Sequence, residues 1–124
     1  MLFNKIKKAL FLSPHPDDVE LGCGGLICKL IKIKVHVYIV IFSNCRISLP
    51  RKSPPNTLIK EFHSSFDTLK LPQKNRIVYD YPTRRFNEAR QDILEDLVKL
   101  NKKLKPDLVV IPSSGDIHQD HQTI

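Results

Sequence analysis

Ala9-Leu10-Phe11-Leu12-Ser13-Pro14-His15-Pro16-Asp17-Asp18 is the stretch on which the reading of this chain turns. An uninterrupted apolar run breaks into a proline turn that carries one imidazole and two carboxylates. A strand solvated on one face alternates apolar and polar residues, whereas one covered on both faces is apolar throughout. Three further runs share the second character: Val35–Phe42, Arg76–Tyr81 and Leu108–Ile111, all rich in Val, Ile or Tyr. Each ends in turn residues, namely Ser43-Asn44, Pro82-Thr83 and Pro112-Ser113-Ser114-Gly115.

Helical spacing fills the intervals. Ile93, Leu97, Leu100 and Leu104 mark one face of a helix that must stop before Pro106. Leu58, Phe62, Phe66 and Leu69 mark a second, with Pro72 beyond its end, and residues 24–32 form a shorter third. The order β-α-β-α-β-α-β is that of an α/β fold, a three-layer α/β/α, Rossmann-like open parallel sheet with right-handed crossovers. In such a sheet the first and fourth strands can be neighbours, with the chain reversing direction between them. The carboxyl ends of those strands then form the crevice where ligands bind. The irregular segment 43–56, with Pro50, Pro54 and Pro55, sits at the carboxyl end of the second strand as either a functional or a merely solvated loop.

The bulk numbers narrow the class. A length of 124 residues fits one domain, 1–124, and a hydrophobic content of 41% supports one modest core. The net charge of +7 could answer a polyanionic partner such as nucleic acid or an anionic membrane surface, but it is spread along the chain with no block of five like charges, the pattern of a solvated surface. Cys23, Cys28 and Cys45 are an odd set without C-x-x-C spacing, so they form neither a disulfide framework nor a thiolate zinc site. Free thiols suit a reducing, cytoplasmic setting. The run Ala9–Leu12 is too short for a signal peptide, and Val35–Phe42 falls far below a membrane span.

Two motifs carry chemistry. Pro14-His15-Pro16-Asp17-Asp18 leads into Gly22-Cys23-Gly24-Gly25, where the glycines are expected to let the backbone turn sharply. Adjacent Asp17 and Asp18 do not easily point the same way, so one can ligate a metal while the other takes a proton from water. The plain alternative makes Asp17 a helix cap and His15 a packed loop residue. The second motif, Asp116-Ile117-His118-Gln119-Asp120-His121, follows the fourth strand; a helix starting there sets His118 and His121 on one face. Alone, it reads equally as a solvated helix start. Joined across the crevice, the two motifs offer two imidazoles and a carboxylate with a fourth position left for water, the pattern of a catalytic zinc site.

The paired motifs, with Tyr79-Asp80-Tyr81-Pro82 between them, resemble those of the PIG-L/LmbE-like zinc de-N-acetylases over essentially the whole chain. The resemblance implies hydrolysis of the acetamide of an N-acetylglucosamine-type conjugate, a small-molecule substrate, with no nucleic acid and no membrane span. It implies that His15, Asp18 and His121 hold Zn2+, that Asp17 is the general base, that His118 stabilises the oxyanion and protonates the amine, and that Asp120 orients His118. Iron or cobalt would also suit that ligand set. Arg84 and Arg85 follow the pocket-flanking segment as substrate-binding candidates, while Glu61, His36, His63 and Cys23 read as solvated or structural. A homo-oligomer is compatible with all of this. The segment 43–56 lacks the family's glycine-rich acidic stretch. Family members also continue well past Ile124, so the resemblance implies a chain truncated at its carboxyl end with an incomplete sheet. The competing readings are a metal-binding fragment without turnover and a nucleotide- or nucleic-acid-binding α/β module. Against the latter, Gly22-Cys23-Gly24-Gly25 is too compressed for the G-x-G-x-x-G fingerprint.

Overall fold

The computed structural model describes residues 2–124. Four parallel strands, β1 (Lys8–Ser13), β2 (His36–Ile41), β3 (Arg76–Val78) and β4 (Leu108–Val110), lie in the order β3-β2-β1-β4. The chain therefore reverses direction between β1 and β4, as the element order predicts. The helices α1 (Asp18–Lys32), α2 (Thr57–Thr68) and α3 (Arg90–Leu104) are the crossovers, and a short α4 (Gln119–Thr123) follows β4.

Each strand is apolar throughout because it feeds two cores. Ala9, Phe11, Val37, Ile39 and Ile41 face one side and pack with Ile27, Leu30, Phe62 and Phe66 of α1 and α2. Leu10, Leu12 and Val40 face the other and pack with Phe42, Phe86, Ile93, Leu100 and Leu104. The result is the expected three-layer α/β/α arrangement. The outer strands are shorter than their apolar runs. In β3 the ladder ends at Val78, although Tyr79 N–H and Tyr81 N–H still donate to the carbonyls of Ile41 and Phe42. In β4 it ends at Val110, leaving Ile111 exposed. No helix among the described residues is long and apolar enough to cross a membrane.

Two expectations need correction. The third helix does not begin at Gly24 but at Asp18, six positions earlier, and Gly22, Gly24 and Gly25 are ordinary helical residues without positive φ. Helix periodicity was masked because glycine and cysteine contribute little apolar signal. The sharp turn is made instead by Asp17, whose φ of 83° lies in the left-handed region that a side chain enters only at a cost. The glycine turn that suggested nucleotide binding is absent. Likewise α4 starts at Gln119 rather than Asp116, with His118 as its N-cap.

Candidate active site

The site is assembled from the turn after β1 and the loop after β4, which the strand order makes adjacent. The β1 turn is stitched by Ser13, whose buried hydroxyl donates to the His15 carbonyl (2.7 Å) and accepts from Val19 N–H (3.2 Å). His15 N–H donates to Asp18 Oδ2 at 2.9 Å. Asp17 occupies the N-cap position of α1, but its side chain makes no capping hydrogen bond there. Its carboxylate is exposed, beside the cluster rather than within it.

His15 Nδ1, Asp18 Oδ2 and His121 Nε2 converge. Asp18 Oδ2 lies 3.5 Å from His15 Nδ1 and 3.1 Å from His121 Nε2, and the two ring nitrogens are 3.3 Å apart. A tetrahedral ion with bonds of about 2.0–2.1 Å needs ligand atoms about 3.3–3.4 Å apart, so the triangle has the size of a zinc site. His118 and Asp120 with His15 form a second grouping of potential ligand atoms that shares the same imidazole.

Carboxylates outside the triangle fix both rings. Asp120, wholly buried, takes His15 Nε2 at 2.7 Å together with the backbone N–H of Arg84 (2.6 Å) and Phe86 (3.2 Å). Asp116 Oδ2 takes His121 Nδ1 at 2.7 Å while its other oxygen accepts from His118 N–H at 2.9 Å. In each imidazole the proton is drawn to the outward nitrogen and the lone pair is left facing the triangle. The assignment of Asp120 to His118 is thereby corrected. What His118 receives from Asp120 is its backbone N–H, donated to His118 Nδ1 at 3.1 Å, because the cap geometry turns the Asp120 side chain the other way. A neutral His118 that accepts at Nδ1 must carry its proton on Nε2.

The electrostatics follow from this packing. Burial disfavours a charged His15, but the bonded carboxylates of Asp18 and Asp120 outweigh it and hold the ring above its ordinary pKa. Burial would raise Asp18, yet the bonds from His15 and the charge of His121 bring it below the usual carboxylate range. Burial and the adjacent Asp18 push Asp17 above the ordinary carboxylate value. The His118 backbone N–H and the His121 ring hold Asp116 down.

A cleft of about 250 Å³ opens on this cluster, lined by His15, Asp17, Asp18, His118, Thr83 and Arg84 among others. Cys45 and Ser48 from the long loop also line it, which gives that loop a place at the site. Arg84, in left-handed backbone with φ 67°, belongs to the lining, but Arg85 does not. Its guanidinium is tied to Glu88 on the surface, at 2.9 Å through Nε. Glu61 and His36 are exposed, His63 lies near Arg76, and Cys23 packs against the core, as their plainer readings had it. Asp116 and Phe86 carry no assigned role in the sequence reading. Asp116 was visible as the first residue of its motif, whereas Phe86, buried 5.7 Å from the His15 ring centroid, gave no signal apart from its apolarity.

Residues 10–124 match the family model of the PIG-L proteins, the GlcNAc-PI de-N-acetylases. The chain belongs to this family. It is 25% identical to the uncharacterised deacetylase YaiS of Escherichia coli K12 over 98% of its own length and 65% of the relative's. To the diacetylchitobiose deacetylase of Thermococcus kodakarensis it is 23% identical, over 97% of its length and 47% of that protein. The structure of N,N'-diacetylchitobiose deacetylase from Pyrococcus horikoshii superposes with a TM-score of 0.86 at 28% identity, covering 98% of this chain and 47% of that one. The PIG-L chain described here thus spans about half to two thirds of the length of these relatives, which are deacetylases.

Proposed function

We propose that this PIG-L family chain supplies the metal-binding and catalytic portion of a zinc-dependent deacetylase that removes acetate from an N-acetylated amino sugar. The observation that carries the reading is the triangle of His15, Asp18 and His121 with a free carboxylate, Asp17, beside it. When bound, the zinc would lower the pKa of a water to about 7 and polarise the amide carbonyl. Asp17, which lines the same cleft as His15 and Asp18, would take the proton of the attacking water, and the raised pKa of its carboxyl would help it to hold that proton. His118, with its proton on Nε2, would donate a hydrogen bond to the carbonyl oxygen as charge develops there, and the proton that Asp17 takes from the water would pass to the departing amine, which leaves only once protonated. Asp120 and Asp116 act through the two ligand rings rather than on substrate. Arg84 on the cleft wall is the group for sugar hydroxyls or an anionic aglycone. The amino-sugar assignment draws support from the relatives, which include a diacetylchitobiose deacetylase and a 2'-N-acetylparomamine deacetylase.

The test pairs elemental analysis with acetate release from N-acetylglucosamine conjugates. One zinc per chain is expected, lost on His15→Ala, Asp18→Ala or His121→Ala. Asp17→Asn should retain the zinc and lose acetate release. Zinc lost together with activity in Asp17→Asn would refute the base assignment, and a chain that takes up no zinc would refute the metal reading itself.

A further inference from the structure

The basic residues that look dispersed along the sequence are gathered by the fold at one pole. In a parallel α/β sheet every helix ends where the next strand begins, so all helix-to-strand turns lie together, opposite the site. Lys32 ends α1 and Lys34 follows in the turn to β2, and Lys70 and Lys74 lie in the connection from α2 to β3. Lys102 and Lys103 lie in the last turn of α3 and Lys105 just after it, while Lys7 and Lys8 stand where β1 starts. Their adjacency is direct: Lys8 pairs with His36 in the sheet register, and Lys34, His36 and Lys70 line one shallow cleft. All but the half-buried Lys8 are exposed. Among the described residues none of them forms an ion pair with a carboxylate; of the acids at this pole, Asp107 is turned to the backbone N–H groups of Lys7 and Lys8, and Asp67 is paired with Arg76.

A lysine in the last turn of a helix needs no special explanation, because it offsets the unpaired carbonyls there. Lys34, Lys70 and Lys105 are different. They occupy the left-handed position just after their helices, with φ of 64°, 57° and 48°. Lys34 and Lys70 close paired bonds of the Schellman type, Lys34 N–H to Ile31 and Val35 N–H to Leu30, Lys70 N–H to Asp67 and Leu71 N–H to Phe66. Glycine fits that position without strain, and a side chain does not. In all three caps a lysine stands in a backbone conformation that glycine would adopt without strain, so each of these charges comes with a conformational cost.

We propose that this pole is an electrostatic docking surface for an anionic lipid bilayer. Lysine is a compact point charge suited to diffuse attraction, whereas recognition of nucleic acid leans on arginine forks and stacking aromatics. The arginine nearest this pole, Arg76, is bonded to Asp67 at 2.7 Å and to the carbonyls of His63 and Leu71. The turns offer an exposed apolar side chain, Ile33 at 46%, flanked by Lys32 and Lys34. Bound by this face, the protein would hold its cleft away from the lipid, about 20 Å off along β1. The inference does not depend on the proposed deacetylase reaction.

The experiment is co-sedimentation of the full chain with vesicles of phosphatidylcholine alone or with added phosphatidylserine, at low and high salt. Binding is expected to the anionic vesicles only and to fade with salt. The triple variant Lys34→Gly/Lys70→Gly/Lys105→Gly should partition about 100-fold less, at roughly fivefold per lysine, while its thermal midpoint holds or rises because the caps relax. Failure of the parent chain to bind anionic vesicles, equal binding to neutral ones, or undiminished binding by the triple variant would each overturn the proposal. So would tighter binding to a single-stranded RNA oligomer than to the vesicles, which would assign the pole to nucleic acid.

Discussion

Replacing Asp120 with alanine tests whether the site and the fold share one buried group. The Asp120 side chain has no solvent exposure and accepts from His15 Nε2, Arg84 N–H and Phe86 N–H at 2.7, 2.6 and 3.2 Å. Truncation leaves two backbone donors without partners, and each unsatisfied buried donor costs about 1–3 kcal/mol. Release of the buried carboxylate offsets part of this, and the net loss on breaking such a buried charged cluster is about 3–5 kcal/mol. Set against a total stability of about 5–15 kcal/mol for a chain of this size, that is a large fraction. Asp120→Asn keeps the shape. With its amide oxygen toward His15 and Arg84, only Phe86 N–H meets a donor, so its loss should be about 1–3 kcal/mol. Urea unfolding followed by circular dichroism, in the presence of a chelator, separates these costs from metal binding. Zinc affinity should fall about 10–100-fold in the alanine variant, because His15 loses the group that sets its tautomer, and less in Asp120→Asn, whose oxygen still accepts from Nε2. An alanine variant within about 1 kcal/mol of the parent would mean that the two amides find other partners and that Asp120 does not hold the site and the fold together.

Asp116→Ala should likewise weaken zinc binding about 10–100-fold, read by competition with a chromogenic chelator; an unchanged affinity would show that His121 needs no partner at Nδ1. Glu20 is a stability prediction of the opposite sign. Burial holds its carboxyl above the ordinary value, and Oε2 has no partner, so the folded chain binds this proton more tightly than the unfolded one. Stability therefore falls as pH rises through the raised pKa, and Glu20→Gln should raise the melting temperature at neutral pH, with the gain shrinking as pH drops below the ordinary glutamate value. A lower midpoint at neutral pH would refute this. Asp107 runs the other way: the Lys7 and Lys8 N–H groups hold it low, so its contribution is present above the ordinary aspartate pKa and is lost as pH falls through the lowered one. Asp107→Asn should shift the urea midpoint down at neutral pH and not in strong acid; equal shifts at both would count against the charge.

What the sequence disclosed and withheld follows from the kind of information each feature needs. The doubly covered strands were legible because burial on both faces writes itself as unbroken apolar runs, and Leu10 and Phe11 serve opposite cores although they are neighbours in sequence. The meeting of His15 with His121 required only the strand order, and the order β3-β2-β1-β4 delivers it. The start of α1 was hidden because Gly22, Cys23, Gly24 and Gly25 are read as turn residues whenever their φ is unknown, while the residue that turns is Asp17. The partner of Asp120 was hidden for a different reason. The resemblance implied that Asp120 orients His118, but a capping residue presents its ring to the backbone of its neighbours, and the neighbour's side chain is then free to cross to another loop. The basic pole is the clearest instance of the same limit. A search for runs of like charge examines one dimension, and in this chain the turns from α1, α2 and α3 are separated by whole helices and strands. Parallel topology stacks those turns side by side. A periodic element order therefore converts charges spaced at the repeat of the fold into a surface cluster, and the significant signal is the place that each lysine holds in its turn, not the length of any run.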